Sequence, residues 1–84
     1  MERSTVLEAV REASVELLDV QPDQVVEEAE FGTDLEADSL DLTELVMALE
    51  DKFDIEVPEE QLEDVKTVGS AVDLVMAQLD SATT

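Results

Sequence analysis

The sequence predicts an all-α protein: a small four-helix bundle of three main helices and one short helix, with a long first loop. Three observations carry that expectation. Apolar residues recur at steps of three and four in separate segments, and no segment alternates over a strand's length. Pro22 and Pro58 fall between those segments, where proline breaks helix. Aromatics make up only 2% of the chain, two Phe with no Trp or Tyr, so the core must be built from Leu, Val, Ala and Met. Such side chains pack adaptably but anchor less area each than a ring. The 84 residues read as one domain over 1–84, and a chain of this size buries about 60–65% of its unfolded surface.

Thr5, with Glu8 three residues later, has the spacing of a capping box and predicts the start of the first helix. Val6, Val10, Ala13 and Leu17 then form one stripe of a 3.6-residue period. Asp19 to Leu35 follows as a long acidic connection broken at Pro22, with Val20, Val25 and Phe31 as the apolar tacks that hold it to the core. Loops of that length are uncommon in compact domains, which favours a short helical turn within it. The second main helix is expected from Ser39 to Lys52, with Leu42, Leu45, Val46, Leu49 and Phe53 facing inward. Pro58 closes an extended link and opens a brief helix through Glu63. Thr67 caps the last helix, whose stripe is Val68, Val72, Val75 and Leu79. The tail, Ser81 to Thr84, is expected to fray.

Charge narrows the functional classes. The chain has 24 Asp and Glu against 4 Lys and Arg, a net charge of −20. That sign disfavours nucleic-acid phosphates and anionic lipid, and favours basic protein partners whose approach is electrostatically steered. Residues 19–64 hold 18 of the acids and one base, Lys52, so the charge is directed at the middle of the chain. No apolar run approaches a membrane span and no signal-peptide h-region opens the chain, so no membrane insertion and a cytoplasmic, monomeric protein are expected.

Common catalytic chemistries are excluded by residue type. With no His and no Cys there is no Ser-His or Cys-His nucleophile pair and no zinc site of the N/S kind. Asp34, Glu36 and Asp38 alternate as in a calcium loop. Its sixth position is Ser39 where Gly is needed, and its twelfth is Leu45 where Glu is needed. The match fails, and no metal site is expected. The chain reads as a non-enzyme.

One serine stands out, in "LEADSLDLTELVMALEDKF". Ser39 opens the second helix between Asp38 and Asp41. It can be a plain N-cap. Alternatively Asp38 is the cap, and Ser39 turns its hydroxyl outward from the first turn, beside a second strip of Leu40, Thr43 and Met47. A helix N-terminus with free N–H groups suits a phosphodiester.

The segment "FGTDLEADSLDLTELVMALEDKFDIEVPEE" resembles the centre of acyl carrier proteins, and the likeness extends over nearly the whole chain. In that family the serine of Asp-Ser-Leu is esterified by 4'-phosphopantetheine, whose thiol carries acyl groups as thioesters. The resemblance implies that Ser39 is the attachment site and that the cofactor supplies the thiol the chain lacks. It also implies that Asp38, Leu40, Asp41, Glu44, Met47, Glu50, Asp51 and Glu56 form the surface read by basic partners. Those partners would be a phosphopantetheinyl transferase and acyl-processing enzymes such as synthases and acyltransferases, with the acyl chain as cargo. A discrete carrier of fatty acid biosynthesis is the reading closest to the sequence. A polyketide or an aminoacyl/peptidyl carrier is the alternative, and an unmodified acidic helical adaptor the remoter one. Three positions depart from the family pattern: Glu36 and Asp19 stand where Gly is usual, and Thr43 where Val is commoner. If the position of Glu36 requires φ > 0, the loop entry is strained.

Overall fold

The computed structural model describes residues 2–82. Its helices are α1 (Arg3–Leu18), α2 (Ser39–Phe53), α3 (Glu59–Leu62) and α4 (Val68–Ala82), with a 3₁₀ turn at Pro22–Gln24. The all-α bundle of three main helices and one short one is therefore observed. Among the described residues the extended pairing is a single antiparallel bridge, Glu30 to Thr67. α4 is helical through Ala82; the rest of the tail expected to fray, Thr83 and Thr84, lies outside the described residues.

α1 packs against both α2 and α4. Its start differs from the expectation at Thr5. The helix begins at Arg3 after Glu2, without a side-chain cap, and the N–H groups of Thr5 and Val6 donate to the Glu2 carbonyl at 3.1 and 3.3 Å. Glu8 is engaged elsewhere, in an ion pair with Arg11. The register is set instead by Arg3, whose Nε and Nη2 donate to Glu27 Oε1 at 3.0 and 2.5 Å and whose Nη1 donates to Asp73. Glu27 first, then Asp73, hold the guanidinium's proton more firmly than usual.

The inward stripe of α1 is Val6, Ala9, Val10 and Ser14, with Ala13 half-buried, whereas Leu17 is 42% exposed. Leu18, not Leu17, packs on the core. Leu17 and Leu18 lie three and four residues after Ser14, so either can continue the stripe that passes through it. The chain's left-handed turn at Asp19, φ 57°, decides between them by redirecting the backbone just after Leu18.

The long connection is an ordered part of the core. Val25, Phe31 and Leu35 are buried, and Val20 packs beside them. The 3₁₀ turn starts with Pro22 and is closed by Gln24 Oε1 accepting the Gln21 N–H at 2.8 Å. Arg11 clasps it from α1, donating to the Val25 carbonyl from Nη2 at 3.1 Å. The loop is then stitched to the start of α4. Phe31 N–H donates to the Lys66 carbonyl, Val68 N–H to Ala29 and Gly69 N–H to Glu27, each at 2.9 Å. That approach favours glycine at position 69, since a Cβ there would lie 3.1 Å from the Glu27 carbonyl oxygen and the loop would have to give by a few tenths of an ångström.

Thr67 caps α4 as expected: its Oγ1 accepts the Ser70 N–H at 3.1 Å, and Ser70 Oγ accepts the Thr67 N–H at 2.9 Å. Val68, Ala71, Val72 and Val75 form the buried face, with Leu79 half-buried. α3 is shorter than expected, ending at Leu62 with Glu63 as its cap.

Among the described residues, one buried side-chain polar atom has no partner. Ser14 is fully buried and its Oγ makes no hydrogen bond. A desolvated, unpaired hydroxyl costs about 1–3 kcal/mol. Ser14→Ala should raise unfolding stability by about 1 kcal/mol and the thermal midpoint by roughly 4–8 °C. Calorimetry of the two proteins measures this, and an unchanged or lower midpoint would show that the hydroxyl is satisfied.

Candidate functional site

The site is built at the N-terminus of α2. Asp38 is extended, φ −90° and ψ −177°, and is the N-cap; Ser39 is the first helical residue. Asp38 Oδ1 accepts the Asp41 N–H at 2.9 Å, and Asp41 Oδ2 accepts the Asp38 N–H at 3.3 Å. This reciprocal pair closes the helix end without using Ser39. The residue is exposed, and its hydroxyl has no hydrogen-bond partner among the described residues. The Leu42 N–H donates to the Asp38 carbonyl at 3.0 Å, whereas the Ser39 and Leu40 N–H groups have no such partner among the described residues. Both amides are thus available beside the hydroxyl.

The segment leading to Ser39 is a tight turn pinned by two apolar residues. Phe31 and Leu35 are 2% exposed. Between them the Asp34 and Leu35 N–H groups donate to the Glu30 carbonyl at 2.8 and 3.1 Å, and Asp34 Oδ2 accepts the Glu30 N–H at 2.7 Å. The Ala37 N–H then reaches back to the Phe31 carbonyl at 2.7 Å. Closing that turn takes Glu36 to φ 54°, the left-handed region. The position does require the conformation that glycine adopts freely, and a glutamate occupies it.

The residues expected on the partner face divide in two. Asp38, Leu40, Glu44, Met47, Asp51 and Glu56 are exposed, with Leu40 at 65% and Met47 at 60%. Asp41 and Glu50 are half-buried, and each carboxylate accepts a backbone N–H: Asp41 that of Asp38, and Glu50 Oε2 that of Val57 at 2.9 Å. Sequence reasoning missed these internal roles. The Asp-x-x-Asp spacing at 38 and 41 is a visible signal for the first; the second spans seven residues and a turn and has no local signature. Thr43 is half-buried and its Oγ1 donates to the Ser39 carbonyl at 2.9 Å, so its hydroxyl faces back along the helix. Lys52 pairs with Glu12 at 3.5 Å across to α1. Leu40 and Met47 therefore stand as two exposed apolar side chains in an uncompensated acidic field.

Comparison with known proteins concerns the chain as a whole. The family model described as "phosphopantetheine attachment site" matches residues 8–75. The acyl carrier protein of a Sulfurovum species is 56% identical over 79% of this chain and 88% of its own length. That of Phenylobacterium zucineum is 51% identical over 90% of this chain and 96% of its own. The chain belongs to the acyl carrier protein family. The solved structure of the acyl carrier protein from Enterococcus faecalis shares the fold, with a TM-score of 0.76 and 37% identity over 93% of this chain and 99% of that one. Acyl carrier proteins are carriers and not catalysts, and their prosthetic group is 4'-phosphopantetheine. The arrangement at Ser39 fits that group: an exposed, unengaged hydroxyl for the ester, and two unpaired amides toward a phosphodiester.

For this acyl carrier protein the left-handed Glu36 carries a measurable cost. Left-handed backbone costs a residue with a Cβ about 1–2 kcal/mol, while glycine adds about 0.4–1 kcal/mol of unfolded-chain entropy. Glu36→Gly should therefore be more stable by on the order of 0.5 kcal/mol in urea unfolding. A less stable variant would mean that the Glu36 side chain itself contributes to the loop.

Proposed function

We propose that Ser39 is the residue that bears the 4'-phosphopantetheine arm, and that this chain is a monomeric, cytoplasmic acyl carrier of fatty acid biosynthesis. The observation that carries the assignment is the capping of α2 by Asp38, which leaves the Ser39 hydroxyl exposed and unengaged. The arm supplies the thiol on which acyl groups are held as thioesters. Ser39 Oγ forms the new bond to phosphorus as the pyrophosphate bond of the donor breaks. Its proton passes to a base on the transferase, because the chain has no histidine and Ser39 is flanked by carboxylates that are already engaged as caps. The Ser39 and Leu40 amides then face the phosphodiester.

The exposed acids of α2 and the link after it, Asp38, Glu44, Asp51 and Glu56, steer basic partners, while Leu40 and Met47 supply the desolvated contacts. These partners are the phosphopantetheinyl transferase and the acyl-processing enzymes. Two copies at −20 each repel, which supports the monomer. No helix among the described residues is long and apolar enough to cross a membrane.

Ser39→Ala should keep its stability within about 0.5 kcal/mol, since the cap is Asp38, and lose all modification by a transferase. Intact mass and circular dichroism check both parts. A mass increase that persists in the variant moves the attachment to another residue.

Glu44→Lys should slow arm transfer about three- to tenfold at low salt, with the deficit shrinking as salt screens the field over ~8–10 Å. Glu16→Lys, on the exposed side of α1, makes the same change in net charge and should have a far smaller effect. Equal losses from the two would assign the effect to total charge and remove the recognition face.

A further inference from the structure

Among the described residues, Lys66 is the one cation whose side chain makes no ion pair. The chain has 4 Lys and Arg. Arg3 is paired with Glu27 and Asp73, Arg11 with Glu8 and Lys52 with Glu12. Lys66 is exposed, yet both of its backbone groups are engaged. Its N–H donates to Ser70 Oγ at 3.1 Å, and its carbonyl accepts the N–H of the buried Phe31 at 2.9 Å. The root of the side chain is therefore fixed, while its ammonium is uncommitted.

That root lies at the serine's end of the bundle. The carbonyl of the same Phe31 accepts the Ala37 N–H at 2.7 Å. The backbone of one residue thus separates Lys66 from the segment that runs through extended Asp38 into Ser39. Lys52, by contrast, stands in the last turn of α2.

An arm esterified to Ser39 places a phosphodiester anion beside Asp38 and Asp41, in a chain already at −20. The Ser39 and Leu40 amides offer it the positive end of the helix dipole, but the neighbouring carboxylates oppose it. Relief at that end takes a full cation with no other claim on it. An ammonium on a flexible stem, with three rotatable donors, suits a phosphate oxygen whose position is set by the ester and not by the lysine.

We propose that the Lys66 ammonium pairs with the phosphodiester of the arm on Ser39 and holds the root of the arm across the turn at Phe31, toward the start of α4. This rests on the reading that Ser39 bears the arm. Lys66 is then a cofactor-binding residue, separate from the acids that receive partners.

The test is phosphorus and amide NMR of the full chain, before and after loading with the arm, with the attachment site checked by peptide mass. In the parent at low salt, loading should shift the amide resonances of Lys66 and Thr67 as well as those of Ser39 and Leu40. Added salt should move the phosphorus resonance toward its position in the urea-unfolded protein. Lys66→Gln should reduce the paired population, read from the phosphorus shift, by about 1.5- to fivefold, the range of an exposed ion pair. The amides at positions 66 and 67 should then no longer respond to loading. Lys66→Arg should keep the parent's response, and Lys52→Gln, which removes the same charge at the far end of α2, should leave the phosphorus resonance in place. Equal phosphorus shifts in the parent and Lys66→Gln overturn the pairing alone. A Lys52→Gln protein that matches Lys66→Gln also overturns it, by assigning the effect to total charge. An arm found on another residue overturns the Ser39 reading together with the pairing.

Discussion

Arg3 brings three parts of the chain to one point. It joins α1 to Glu27 in the long loop, to Asp73 in α4 and, at 3.4 Å, to the Gly69 carbonyl. The close approach of Glu27 to Gly69 depends on the same corner. In a chain with 24 acids the loop's carboxylates repel one another, and Arg3 offsets that repulsion where the buried side chains and backbone bonds hold the loop to the helices. Arg11 repeats the device one stretch later, pairing with Glu8 while it donates to Val25. Both arginines thus secure the loop, and Lys52 ties α2 to α1. With three of the four cations engaged in joining elements, the exposed acids from Asp38 to Glu56 have little positive charge among them.

What was legible in the sequence is what is decided locally. The start of α2 follows from Asp-x-x-Asp, the start of α4 from Thr67 with Ser70, and the opening of α3 from Pro58. Each is a contact within four residues. The unread features are set by partners distant in sequence. Arg3 extends α1 toward its N-terminus because Glu27 and Asp73 lie 24 and 70 residues away. Leu17 and Leu18 both fall at helical spacing from Ser14, and Leu18 is the one that packs on the core before Asp19 turns the chain. Ser14 is buried against its polarity because the face of α1 packed on α2 and α4 passes through it. At the site, the hydroxyl's freedom was readable from the neighbouring aspartates, whereas the amide held by Glu50 was not.

The left-handed positions follow a pattern of their own. Asp19, Glu36 and Asp54 have positive φ, and neither glycine does. All three are acidic, and each lies beside a helix end: after α1, before α2 and after α2. Glycine at any of them would relieve the backbone but remove a charge and raise the entropy of the unfolded chain. Aspartate tolerates the left-handed region better than most residues; glutamate does so less well. Glu36 is therefore the most strained of the three, and it stands three residues before the serine. The turn it completes is over-determined by Phe31, Leu35 and four backbone and side-chain bonds, which is how such strain persists.

That over-determination contrasts with the other end of α2. Before Ser39 the chain is fixed by one buried ring, Phe31, and by the buried Leu35, together with a dense set of short hydrogen bonds. After Phe53 it is fixed by one residue, Glu50, and by two side chains, Ile55 and Val57, that retain slight exposure at 8 and 9%. The aliphatic core beneath has no ring on this side to resist repacking, since Phe31 lies in the first loop and Phe53 is only half-buried. A carrier needs both behaviours. The attachment point must be presented in one geometry to every enzyme, and the interior must adapt as the cargo changes length, at about 0.8 kcal/mol of apolar transfer per methylene. If Ser39 bears the arm as proposed, the first task falls to the capped first turn of α2 and the second to the aliphatic core behind it.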